Sequence, residues 1–127
     1  MIQYNYTYRK LNVYQLSKTL VKDIYGMTAE FPVNEKYALS DQMRRAVVSV
    51  PSNIAEGMGR YSSKDQAHFL EIAFGSLLEI SAQLDIAYDL GYITSSEQEV
   101  VETQIDVVAA LISGLRSKRI ESLATRH

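Results

Sequence analysis

A chain of 127 residues, 46% hydrophobic and 22% charged, is sized for one soluble domain that buries a real core. It contains no cysteine, which excludes disulfides, thiolate metal sites and cysteine nucleophiles and fits a cytoplasmic protein. Thirteen Lys and Arg against fifteen Asp and Glu give a formal charge of -2, which argues against broad phosphate neutralisation but leaves room for a local basic patch.

Only two prolines and six glycines punctuate the chain, so a few long helices are expected and the fold class is all-α. The start, MIQYNYTYRK, lacks the basic and apolar parts of a signal peptide, and no apolar run approaches a membrane span. Ile2, Tyr4, Tyr6 and Tyr8 alternate with polar residues, which suits an extended N-terminal arm within residues 1–10 that docks on a neighbouring subunit or packs loosely.

Asn12 and Gln15 have the form of a capping box, and Val13, Leu16, Leu20, Ile24 and Met27 then recur at helical spacing, predicting a first helix over Val13 to Ala29. Phe31-Pro32 ends it, because the residue before proline is pushed out of the helical region. In the second helix Met43, Val47, Val50, Ile54 and Met58 stay in phase across Pro51, which predicts one helix kinked near the proline. Gly57 and Gly59 suit its C-terminal cap, and Ser62 to Gln66 offers two overlapping capping boxes for a third helix reaching about Leu90. Gly91 closes that helix, and Thr94 with Glu97 opens a fourth. Its Val101, Ile105, Val108, Ile112 and Leu115 alternate steps of four and three, the seam of a left-handed bundle, and the helix is expected to fray from about residue 121. Short connections imply an antiparallel up-down-up-down four-helix bundle in a single domain. Helices 2 and 3 carry more apolar surface than one bundle core hides, which points to a homo-oligomer.

Gln42, Arg44-Arg45-Ala46, Ser49, Pro51, Asn53-Ile54-Ala55-Glu56-Gly57 and Arg60, followed by Phe69-Leu70, Ala73, Gly75-Ser76-Leu77 and Glu79, closely resemble the bacterial four-helix bundle protein family. That family includes proteins encoded within 23S ribosomal RNA intervening sequences and is similar to the accessory protein of diversity-generating retroelements. The resemblance covers roughly residues 8 to 120 and implies an antiparallel four-helix bundle assembled as a ring-like homopentamer; RNA or a ribonucleoprotein is the candidate partner of such a scaffold.

Gln42, Arg45, Ser49, Asn53, Glu56 and Arg60 line one stripe of the second helix, and Glu79 of the third is placed to join them. We read them as a packing network at a helix or subunit seam, because no nucleophile, base and orienting partner occur together. The alternative is a ligand-binding or enzymatic site using the same Arg and Glu residues. Asp65, His68 and Glu71 have half the pattern of a bundle metal site, but His68 is the only interior histidine, so no metal and no cofactor are assigned. Arg9, Lys10, Arg116, Lys118 and Arg119 gather at one end of an up-down bundle, where a ring would multiply them into a basic rim, and Arg44 is a separate candidate for a phosphate or an interface. No phosphate-binding glycine loop or hydrolase elbow is present. The expected role is a non-enzymatic, self-assembling scaffold, with no membrane partner.

Overall fold

Four helices account for most of the chain: α1 (Asn12–Ala29), α2 (Leu39–Met58), α3 (Ser63–Asp89) and α4 (Ser95–Ala124). The computed structural model describes residues 7–124, so the expected extended arm falls outside the described residues up to residue 6. Thr7–Lys10, the end of the expected arm, instead forms a 3-10 turn, and a second 3-10 turn, Val33–Glu35, links α1 to α2. Among the described residues there is no strand, and no helix is long and apolar enough to cross a membrane.

The helix starts differ in how they are capped. Thr94 and Glu97 form a complete reciprocal box, with Glu97 N–H donating to Thr94 Oγ1 at 3.1 Å and Thr94 N–H to Glu97 Oε1 at 3.0 Å. Ser62 accepts from Asp65 N–H at 3.1 Å, so the first of the two candidate boxes supplies the α3 cap by its serine half. The Asn12–Gln15 box does not form: Leu11 is the cap residue, and the Gln15 amide instead donates to the Arg9 carbonyl of the preceding 3-10 turn at 2.9 Å. Gly91, at a φ of 76°, is the residue that needs glycine's left-handed freedom at the end of α3.

α2 packs against α1 and α3, α3 packs against α4, and α4 closes back on α1. Ser63 meets Ser122 and Ser81 meets Glu102, so the partners descend α4 as they ascend α3. The core is apolar and closely filled: Leu20, Ile24, Met43, Val47, Val50, Ile54, Leu70, Leu77, Ile80, Leu84, Val108 and Ile112 are all fully buried. Pro51 lies buried inside α2, which continues through it as one helix. The missing proline N–H costs α2 a backbone bond, and burial of Val47, Val50 and Ile54 on either side supplies the offset.

The apolar surplus is distributed otherwise than expected. α2 lies between α1 and α3, so nearly all its apolar positions are used inside the protomer and Val48 is its one exposed large hydrophobe. Exposed apolar side chains concentrate on α3 and α4 instead, with Leu78 at 59% and Val100 at 60% accessible and Ile72, Ile86, Leu90, Val107 and Leu111 also open.

Candidate functional site

The α2–α3 seam is held by small and polar groups. The Ser49 and Ser76 hydroxyls lie 2.8 Å apart across it. Asn53 Nδ2 donates one turn back to the Ser49 carbonyl at 2.8 Å and to the Ser49 hydroxyl at 2.9 Å, which fixes that hydroxyl for its contact with α3. One turn further, Gly57 lets the helices touch: a Cβ placed there would stand 2.9 Å from the Cβ of Phe69. Gly57, expected as a cap residue, is therefore a packing position inside α2, and Gly59 takes the cap.

The arginines and glutamates of the stripe do not form one network within the protomer. Arg45 pairs with Asp41 at 3.0 Å and Arg60, just past the end of α2, with Glu56 at 2.7 Å, each four residues apart in sequence and each open to water. Such exposed pairs contribute only about 0.2–1 kcal/mol. Gln42 and Glu79 are exposed, and no hydrogen bond or ion pair among the described residues joins Glu79 to the others. The Ser49–Ser76 register sets Glu79 opposite the Arg45 end of α2, about 20 Å along the helix from Arg60.

The basic candidates separate into fixed and free groups. Arg44 Nε donates to Thr28 Oγ1 at 2.9 Å, and its guanidinium lies 4.8 Å from the Tyr25 ring centroid, so it clamps α2 to α1. Arg119 Nε donates to Gln66 Oε1 at 3.1 Å and its Nη1 to the Leu115 carbonyl at 3.3 Å, holding α4 against α3. Arg116 is 3.7 Å from Glu71. The side chains of Lys10, Lys64 and Lys118 are exposed and make no ion pair or hydrogen bond among the described residues.

These cations share one end of the bundle. Arg119 reaches Gln66 at the start of α3 and approaches Met58 Sδ at the end of α2 at 3.6 Å, while Thr7 and Tyr8 line a groove with Gly59 and Arg60. Arg9, Lys10, Arg60, Lys64, Arg116, Lys118 and Arg119 therefore cluster around that end. At the other end Tyr92 donates to Glu35 at 2.7 Å and packs on Phe31, and Glu30 and Glu97 line one groove. Glu30, Glu35, Asp85, Asp89, Glu97 and Glu99 gather there. The hydrogen bond to Glu35, with desolvation and the carboxylate's charge behind it, raises the Tyr92 phenol above its ordinary value of 10.0. The acidic end and the parts played by Arg60 and Lys64 were missed in the sequence, although the signal lies in the connections: Arg60 and Lys64 flank the α2–α3 link, while Glu30, Glu35, Asp89 and Glu97 flank the other two.

A groove at the basic end holds about 680 Å³ and is lined by Thr7, Tyr8, Ser52, Ala55, Glu56, Met58, Gly59 and Arg60. Arg60 sits over the Phe69 ring at 4.6 Å and is bonded to Glu56, so its charge is held beside the groove. The groove offers no activated nucleophile with a base and orienting partner. Asp65 and His68 are exposed, Glu71 faces Arg116, and among the described residues no three His, Asp or Glu converge on a metal-sized site.

The family model described as 23S rRNA-intervening sequence protein matches residues 9–114, which span all of α1, α2 and α3 and most of α4. The chain belongs to that family. A solved structure from Bacteroides thetaiotaomicron, described as a protein of unknown function from the S23 ribosomal protein family, is similar in fold. It shares 24% identity over 82% of this chain and 97% of its own length, with a TM-score of 0.75. Among curated proteins none matches the chain. The residues that carry the family resemblance, from Gln42 through Glu79, lie on α2, α3 and the link between them, and several of them build the α2–α3 seam.

Proposed function

We propose that this chain is a non-enzymatic scaffold that assembles with copies of itself and presents the basic end of its bundle to RNA. The observation that carries the reading is the gathering of Lys10, Lys64 and Lys118, exposed and unpaired among the described residues, from three separate parts of the sequence. A formal charge of -2 disfavours wrapping by a polyanion, but segregated charge permits contact at one end. The family's description, which names 23S rRNA, makes ribosomal RNA the first polyanion to test. Self-assembly is supported by the exposed Leu78, Ile86, Val100 and Val107 on α3 and α4, and the family resemblance suggests a ring of five.

The test is a gel shift with 23S rRNA fragments over a salt series, with light scattering for mass. Each phosphate contact adds about 0.7–0.9 to the slope of log affinity against log salt. The combined variant Lys10→Glu, Lys64→Glu, Lys118→Glu is expected to bind at least about tenfold more weakly and to flatten that slope. No shift at low salt, or an unchanged shift in the triple variant, removes the RNA component, and a monomer at micromolar concentration removes the scaffold. The groove beside Tyr8 and Arg60 supports a second reading, a small-ligand site. A metabolite that raises the melting temperature in wild type but not in Arg60→Ala would establish it.

A further inference from the structure

The bundle is polar along its axis, and its net charge conceals this. Helices that alternate in direction largely cancel their dipoles, so the polarity comes from side chains. α4 alone spans 30 residues, about 45 Å, whereas the Debye length near physiological salt is about 8 Å. The two ends therefore act on other molecules as independent surfaces of opposite sign. At the acidic end the side chains of Glu30, Asp89 and Glu99 are exposed and make no hydrogen bond or ion pair among the described residues, and the same holds for the side chains of Lys10, Lys64 and Lys118 at the basic end. Glu56, Asp65, Glu71 and Glu121 stand among the cations of the basic end and Lys36 among the carboxylates of the acidic end, so each end offers a surplus of one sign rather than a single sign.

We propose that copies of this chain associate end to end, the basic end of one seated on the acidic end of the next. The occupant follows from charge complementarity, since the same molecule carries both halves of the contact. The contact is heterologous, so each addition leaves a fresh acidic and a fresh basic end, and growth has no built-in closure. It goes beyond the RNA reading and does not need it. The two are linked by competition, because the acidic end of a neighbour and the phosphates of RNA would claim the same lysines.

Light scattering at about 20 mM and about 300 mM salt tests this, because lowering the salt lengthens the reach of the end charges. Contacts between apolar faces are not weakened by salt, so the high-salt mass provides the baseline for any lateral assembly. Wild type is expected to gain at least about twofold in mass at low salt, increasingly with concentration. One variant, Glu30→Lys with Asp89→Lys and Glu99→Lys, puts unpaired positive charge at the end that carried unpaired carboxylates. The other, Lys10→Glu with Lys64→Glu and Lys118→Glu, puts unpaired negative charge at the end that carried unpaired lysines. Each alone is expected to stay at its high-salt mass, and their mixture is expected to recover the low-salt growth. That recovery separates end contact from a general effect of net charge. Absence of salt-dependent growth in wild type, growth of either variant alone, or failure of the mixture with both variants folded by circular dichroism would overturn the proposal. Gel shifts of wild type and of the Lys10→Glu, Lys64→Glu, Lys118→Glu variant at dilute protein score the RNA reading separately: binding lost in the variant sustains it, and equal binding in both, with stacking restored in the mixture, rejects only the RNA reading.

Discussion

Replacing Gly57 with alanine tests the account of the α2–α3 seam. In a helix interior an alanine normally gains about 1 kcal/mol over glycine, because glycine loses more backbone freedom on folding. At Gly57 the added Cβ would stand 2.9 Å from Phe69 Cβ and 3.4 Å from the Gln66 carbonyl oxygen. Neither atom is the loose end of a side chain, so relief requires α3 to move away from α2. Forced overpacking of this kind costs about 1–3 kcal/mol, and with both contacts on the opposing helix the upper part of that range applies. The net expectation is a loss of about 1–2 kcal/mol, or roughly 3–8 °C in melting temperature for a domain of this size. Gly75→Ala and Gly114→Ala provide the control, since neither Cβ would meet anything within 4 Å. Both are expected to melt at or slightly above wild type. The assay is thermal unfolding by circular dichroism at fixed protein concentration, because any self-association makes the melting temperature depend on concentration. If Gly57→Ala melted at or above wild type, the close approach of α2 and α3 at Phe69 would be wrong.

Ser76→Ala should lower stability by about 1 kcal/mol in urea unfolding, because Ser49 loses its partner across the seam. Adding Ser49→Ala should cost less than the sum of the two single changes, and full additivity would mean the hydroxyls do not interact. Tyr92→Phe should show a pH-dependent deficit in stability. The native state holds the phenolic proton more tightly than the unfolded chain, so the contribution is complete below pH 10 and is lost as pH rises through the higher native value. A wild type and Tyr92→Phe difference that stays constant from pH 8 through 11 would remove the Glu35 bond from this account.

Helical periodicity placed the helices well because each has a face that must be buried. Thr94 with Glu97 could be read as a capping box because nothing nearby competes for either side chain. Asn12 with Gln15 looked alike but fails, since Thr7–Lys10 coils into a turn whose Arg9 carbonyl takes the Gln15 amide. The surplus apolar surface of α2 was legible as a quantity but not as a destination, because a helical wheel does not say whether a second face meets another helix of the same chain. Pro51 shows the difference: it lies buried within the protomer, while Leu78 and Ile86 on α3 are left open.

The stripe does not close into one network within the protomer, for a geometrical reason that also bears on function. A wheel gives the angle of a residue around its helix but not its height against a neighbour, and height requires the register between helices. That register is set by Ser49 against Ser76 and by Gly57 against Phe69. With it in place, Glu79 stands near the Arg45 end of α2 and Arg60 lies about 20 Å away, so within the protomer Glu79 does not join the Arg60–Glu56 pair. The residues that do converge are two serines, an asparagine and a glycine. Their combination brings helices close and satisfies the few polar groups trapped between them, which is the work of a fold. Around Asn53-Ile54-Ala55-Glu56-Gly57, then, the resemblance rests on packing chemistry. Chemistry directed outward lies in Lys10, Lys64 and Lys118, whose side chains hold nothing inside the protomer together and whose charge remains available to a partner.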